Sequence, residues 1–144
     1  MTTLVLALVT GLVFLAGDLF MIPLVMRPLF QKHLGAQMLE NLRLAPALLF
    51  YLIHIGGLVY FAGLPALRDG SAVTALVNGA LVGLVAYGCY EMTSHTIMRD
   101  WHINIVLIDL IWGVVISGVS AWAGALAALW WLARSFRGPD AGSY

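Results

Sequence analysis

This sequence predicts an all-α fold, a transmembrane up-down-up-down four-helix bundle, on three observations. Of 144 residues, 62% are hydrophobic and 10% charged, with a mean hydropathy of +0.95, which leaves too few polar side chains to coat a soluble domain. The apolar residues fall into four stretches, each long enough to cross a hydrocarbon core about 30 Å thick. Short polar turns separate most of them, and short connections make consecutive helices antiparallel. The lipid bilayer is therefore the first partner. The net charge is zero and no basic run occurs, so nucleic-acid binding has no electrostatic basis. The single cysteine, Cys89, sits mid-span and closes no internal disulfide.

The first span reads from about Thr2 to Met26. Its apolar core is too long for a signal-peptide h-region and no small-residue cleavage site follows it, so a retained helix is expected. Asp18 interrupts it, and Pro23 deprives the Leu19 carbonyl of its helical donor, which predicts a kink or a polar contact nearby. Residues 27–43 form the longest polar segment, with Arg27, Lys32, His33, Glu40 and Arg43. Within it, residues 31–42 suit a short amphipathic helix on the membrane surface.

The second span runs from about Leu44 to Leu67, with Pro46 in its first turn and Pro65 and Gly70 as breakers before the third. That third span, about Ala72 to Met98, carries Gly79-x-x-x-Gly83 followed by Gly88, a close-packing face. Arg99-Asp100-Trp101-His102 is the next turn. The fourth span reads from about Ile103 to Ala133. Trp101 and the pair Trp130 and Trp131 bracket it as interfacial anchors, about 43 Å apart at helical rise. Trp112 and Trp122 are expected in the core. Residues 1–134 thus form one four-span domain and 135–144 a polar tail. Lys/Arg residues divide almost evenly between the two faces, leaning only slightly to a cytoplasmic 27–43 loop.

Four polar side chains lie at matching depth. Asp18, His54, Glu91 and Asp109 are nine, eleven, eight and seven residues from Arg27, Arg43, Arg99 and His102 respectively. At ~1.5 Å per residue each is about 10–16 Å from polar residues on one membrane face. The helix faces agree with the depths. On the fourth span Asp109, Gly113, Ser117, Ser120 and Gly124 share about 80° of arc. On the third, Gly83, Tyr87, Glu91 and Ser94 share a similar arc, with His95 one turn beyond Glu91. The two stripes are expected to face each other inside the bundle, because an acid left facing lipid costs several kcal/mol (about 2.5 upward).

Two readings of this layer stand side by side. Asp18, Glu91 and Asp109 act as protonated acids that hold helix register through hydrogen bonds, or they form a proton relay or cation site with His54. A transition-metal centre is the weaker option, since Glu91 and His95 are spaced i,i+4 where bundle metal sites use Glu-x-x-His; the metal content stays unknown. The only lysine, Lys32, lies in a loop, which excludes a retinal Schiff base within a span. No haem attachment motif, phosphate loop, redox cysteine pair or nucleophile–base pair occurs, so no cofactor and no catalytic residue is expected.

The combination of Gly17-Asp18-Leu19, Leu49-Phe50-Tyr51, Gly57-Leu58-Val59-Tyr60-Phe61, Asn78-Gly79-Ala80-Leu81, Tyr90-Glu91-x-Thr93 and Asp109-x-x-Trp112-Gly113 resembles a family of small bacterial membrane proteins known as domain of unknown function 2177. The likeness covers roughly residues 1–127. Where that family usually has Tyr-Asp-x-Thr-Asn, this chain has Tyr90-Glu91-Met92-Thr93-Ser94, keeping an acid and losing the amide. The resemblance implies a four-span protein of the bacterial inner (cytoplasmic) membrane and supplies no activity. Small size and the lack of catalytic motifs then favour a non-catalytic accessory or structural subunit, bound to other membrane protein subunits. The alternative is a small proton- or cation-coupled carrier or channel that uses the carboxylate–His layer. A core packed with Gly, Ala and Leu, leaving little room for a pathway, tips the expectation to the subunit.

Overall fold

Two prolines shape the first helix. α1 spans Thr2–Met21 and α2 spans Arg27–Leu34, joined without a break by a π-helical turn over Ile22–Met26. Pro23 and Pro28 lack N–H donors and their rings crowd the carbonyls one turn back. The helix answers by widening, so that the Arg27 N–H reaches the Ile22 carbonyl. The span expected to stop at Met26 therefore continues to Gln37 as a helix of 36 residues. Gln31, Lys32 and His33 belong to it, and no separate surface helix forms over the described residues 31–41. Nothing between Arg27 and Leu34 breaks the α-helix until Gly35, whose φ of +39° tightens the chain into a last 3-10 turn over Gly35–Gln37. The computed structural model describes residues 1–41 and 43–136. Leu42 and most of the polar tail assigned to 135–144 lie outside the described residues.

The second span repeats the device. α3 covers Leu44–Gly57 and α4 covers Leu64–Asp69, with a second π-helical stretch over Leu58–Gly63 between them. Pro65, read from the sequence as a breaker, lies inside this continuous helix. Its missing N–H leaves the Phe61 carbonyl without a donor, and the Asn78 side-chain amide of the next helix donates to that carbonyl at 3.3 Å. Asn78→Ala is expected to cost about 1 kcal/mol of stability, in line with interhelical hydrogen bonds in membranes; a melting temperature equal to wild type would show the bond to be idle. The real stop is Gly70, left-handed at φ +65°.

α5 spans Ala72–Ile97 and α6 spans Ile103–Phe136. Their contacts run in opposite senses: Gly79 meets Ser117 and Ala121, Gly83 meets Gly113 and Ser117, and Gly113 meets Tyr87. α1 is likewise antiparallel to α6, with Gly17 beside Ile116 and Trp112, and Gly124 beside Leu6 and Thr10. The second span crosses α1, pairing Gly11 with Ile55 and Leu6 with Gly63. Gly88 plays a lesser part than the sequence suggests, since a Cβ there would meet only Leu110, at 3.7 Å. α5 and α6 share the most extensive interface. The first half of the second span is the loosest element, since His54 is the one buried residue of α3.

At one end the Gln37 amide donates to Asp100 at 2.8 Å, and the His33 and His102 rings stack at 4.3 Å. These contacts put the end of the first helix and the Arg99–His102 turn on one side. In a Cys89→Ser background, cysteines placed at Gln37 and Ser71 are expected to label from opposite sides of the membrane; same-side labelling would remove one crossing. Ser143, the C-terminal counterpart of Ser71 in such a test, lies outside the described residues. At the other end Trp130 and Trp131 are exposed, with the Arg134 guanidinium 4.0 Å over the Trp130 ring. Trp122, expected in the core, is 39% exposed on the outer face. It lies off the Gly/Ser/Ala stripe that packs inward.

Candidate functional site

Asp18 is buried where α1, α3 and α6 meet. Its carboxylate accepts the Trp112 indole N–H at 3.0 Å and the Tyr51 hydroxyl at 3.2 Å. Trp112 lies one turn after Asp109 on α6, and Tyr51 one turn before His54 on α3, so the same helix faces present donors and titratable groups together. Both donors are neutral. They satisfy the oxygens of Asp18 without cancelling a charge.

Glu91 is fully buried on α5, and its Oε2 accepts the Trp101 indole N–H at 2.7 Å. Trp101, read as an interfacial anchor, is 6% exposed and packs against Phe30 and Tyr90. The short turn before α6 folds its ring back under the bundle, where the N–H finds an acid. Glu91 Oε1 has no ordinary donor, and the Asp109 carboxyl lies within hydrogen-bonding reach of Glu91. A hydrogen bond between two carboxyls requires a proton between them, and two adjacent carboxylates in a medium of low dielectric repel. Neutralising either one, by a proton or by a cation, removes that repulsion.

The histidines stand apart from the acids. His54 is buried and its Nε2 pairs with Ser117 Oγ at 2.9 Å, inside a box made by Phe14, Phe50 and Tyr87. His95 is exposed near the turn, and its Nδ1–H donates to the Trp101 carbonyl at 2.7 Å. Neither bonds to a carboxyl. Among the described residues no group of three His, Cys, Asp or Glu is placed to hold a metal ion.

The polar groups surround a chamber of about 560 Å³. Asp18 and Asp109 line it with His54, and Phe50, Tyr51, Tyr87, Tyr90 and Trp112 complete an aromatic wall. Met21, Ile22 and Met26 of the widened π turn form another part of the lining. Glu91 sits behind Asp109, outside the lining. The expectation of a filled core is thus overturned in this half of the bundle. Glycine and alanine let α6 close tightly on α1 and α5, while Phe50, Tyr51 and Tyr87 stand between α3, the first half of the second span, and the rest.

Hydrogen bonds from Tyr or Trp to the acids are expected from the sequence, but Tyr51 and Trp112 as the donors to Asp18 emerge only from the structure. Their i,i+3 spacing to His54 and Asp109 was the available signal. Four long apolar helices enclosing a carboxylate-lined chamber define a multi-pass helical membrane protein. Residues 3–126 match the family DUF2177, described as a predicted membrane protein, and the chain belongs to that family. No curated protein and no solved structure matches it.

Proposed function

We propose that this protein is a small membrane carrier that binds a cation in the chamber in exchange for a proton. One observation carries the reading: Asp18, Glu91 and Asp109 gather at one depth beside an open cavity, with no basic residue to neutralise them. No lysine or arginine occurs within residues 2–26, 44–67, 72–98 or 103–133. A buried carboxylate without a counter-charge is costly, and a mobile proton or cation removes that cost. The Asp109–Glu91 pair supplies a place for the proton, and Asp18, held by two neutral donors, supplies a third acid at the same chamber.

The accessory-subunit reading rests on small size and the lack of catalytic motifs; the core without room for a pathway that tipped the choice towards it gives way to the chamber. Proteoliposomes enclosing a pH-sensitive dye test the proposal. External cations are expected to drive protons out of vesicles containing the wild-type chain and not out of vesicles containing Asp109→Asn. Wild-type vesicles that release no protons for any cation, together with a stoichiometric partner on copurification, would return the protein to the subunit class.

A further inference from the structure

We propose that the chamber's cargo is a lipophilic organic monocation, taken laterally from the lipid through the gap between α3 and α5. This rests on the carrier reading and names its substrate class. An inorganic ion is poorly served here. A hard cation asks for about six or more oxygen ligands at close range, whereas among the described residues no three His, Cys, Asp or Glu side chains converge to hold one. An organic cation asks for less: a negative charge nearby and aromatic faces within about 6 Å of it. The chamber offers this arrangement, with Asp18 and Asp109 set among Phe50, Tyr51, Tyr87 and Trp112. Its volume of about 560 Å³ falls in the range of about 300–1,000 Å³ typical of sites for drug-sized molecules.

The way in is also visible. Ile22, Phe50 and Ile53 line the chamber and are 44%, 40% and 67% exposed on the outer surface, so the wall is open towards lipid. A second groove runs along the outside between the second span and α5, past Gly57, Phe61 and Asn78, and shares Ile53, His54 and Ala86 with the chamber. A charged group with an apolar body partitions into the interface and reaches the acids along this groove. The exchange balances in charge: one monocation enters beside Asp109 and the proton shared with Glu91 leaves.

Tetraphenylphosphonium, a permanently charged lipophilic cation, is the probe, with tetraphenylborate as the control of matching shape and opposite charge. The purified full chain in lipid nanodiscs is expected to bind radiolabelled tetraphenylphosphonium saturably, with affinity falling as pH falls because protons compete for the same pair. Asp109→Asn and Phe50→Ala are each expected to weaken binding about tenfold, and Phe50→Trp to restore it. Phe50 is on the rim, so its variants report on the site even where Asp109→Asn fails to fold. Equal competition by tetraphenylborate, or affinity unchanged in a folded Asp109→Asn or in Phe50→Ala, overturns the inference. Proton release driven by sodium or calcium without tetraphenylphosphonium binding also overturns it, and leaves the carrier reading standing. Release by neither class of cation sinks both.

Discussion

Gly83→Leu is expected to leave little folded protein in detergent. Even a Cβ at this position would fall on the Gly113 carbonyl oxygen and lie 2.7 Å from Ser117 Oγ. A backbone carbonyl inside a helix has nowhere to go, so α5 and α6 must separate along their whole contact. That contact is the most extensive in the bundle. Overpacking by extra methylenes typically costs about 1–3 kcal/mol and occasionally more, and for a leucine against backbone the upper end is expected. Gly83→Ala tests the same point with one carbon and is expected to melt measurably below wild type. Gly113→Leu strikes the base of the buried Tyr87 ring, so it is also expected to destabilise the bundle and, in addition, to distort the chamber wall. Gly88→Leu is the control, because its nearest neighbour is a leucine methyl at 3.7 Å. If thermal melts of Gly83→Leu and Gly88→Leu coincide with wild type, the α5–α6 seam described above does not exist.

Asp109→Asn and Asp109→Leu are expected to part company. Asparagine keeps the shape and presents an amide N–H to Glu91 Oε1, the buried atom without an ordinary donor. The bundle is therefore expected to fold and melt near wild type, while proton exchange falls to the background of empty vesicles, since an amide does not titrate in this range. Leucine leaves that oxygen stranded in an apolar surround, a penalty of about 1–3 kcal/mol for an unmet buried acceptor, and removes the exchange as well. The reading of Asp109 as the exchanging acid is falsified if Asp109→Asn still moves protons at the wild-type rate. An asparagine variant as unstable as the leucine one would instead mark the acid as a structural prop. Trp101→Phe offers a companion measurement, because it strips Glu91 Oε2 of its donor while keeping an aromatic ring against Phe30 and Tyr90 of the chamber wall.

By itself the sequence determined the four helices long and apolar enough to cross a membrane and set the expectation that the acids share one level. Hydropathy sums over a span, so scattered polar residues do not obscure it. Helical rise is fixed, so counting from Arg27, Arg99 and His102 gives depth, and helical periodicity gives the inward stripe of Gly113, Ser117 and Ser120. What such counting cannot give is which side chains meet across helices. Asp18 found Tyr51 and Trp112, Glu91 found Trp101, and His54 found Ser117; each choice depends on distances between helices that share no local sequence. The prolines show the same division. Pro23 and Pro65 mark where an N–H is missing, but whether the helix breaks or widens depends on its surroundings, and at Pro65 a donor from Asn78 on α5 meets the carbonyl left over. The chamber belongs wholly to this second level. It exists because glycine lets α6 close tightly on α1 and α5 while aromatic bulk stands between α3 and the rest, and that balance of volumes is a property of the assembled bundle.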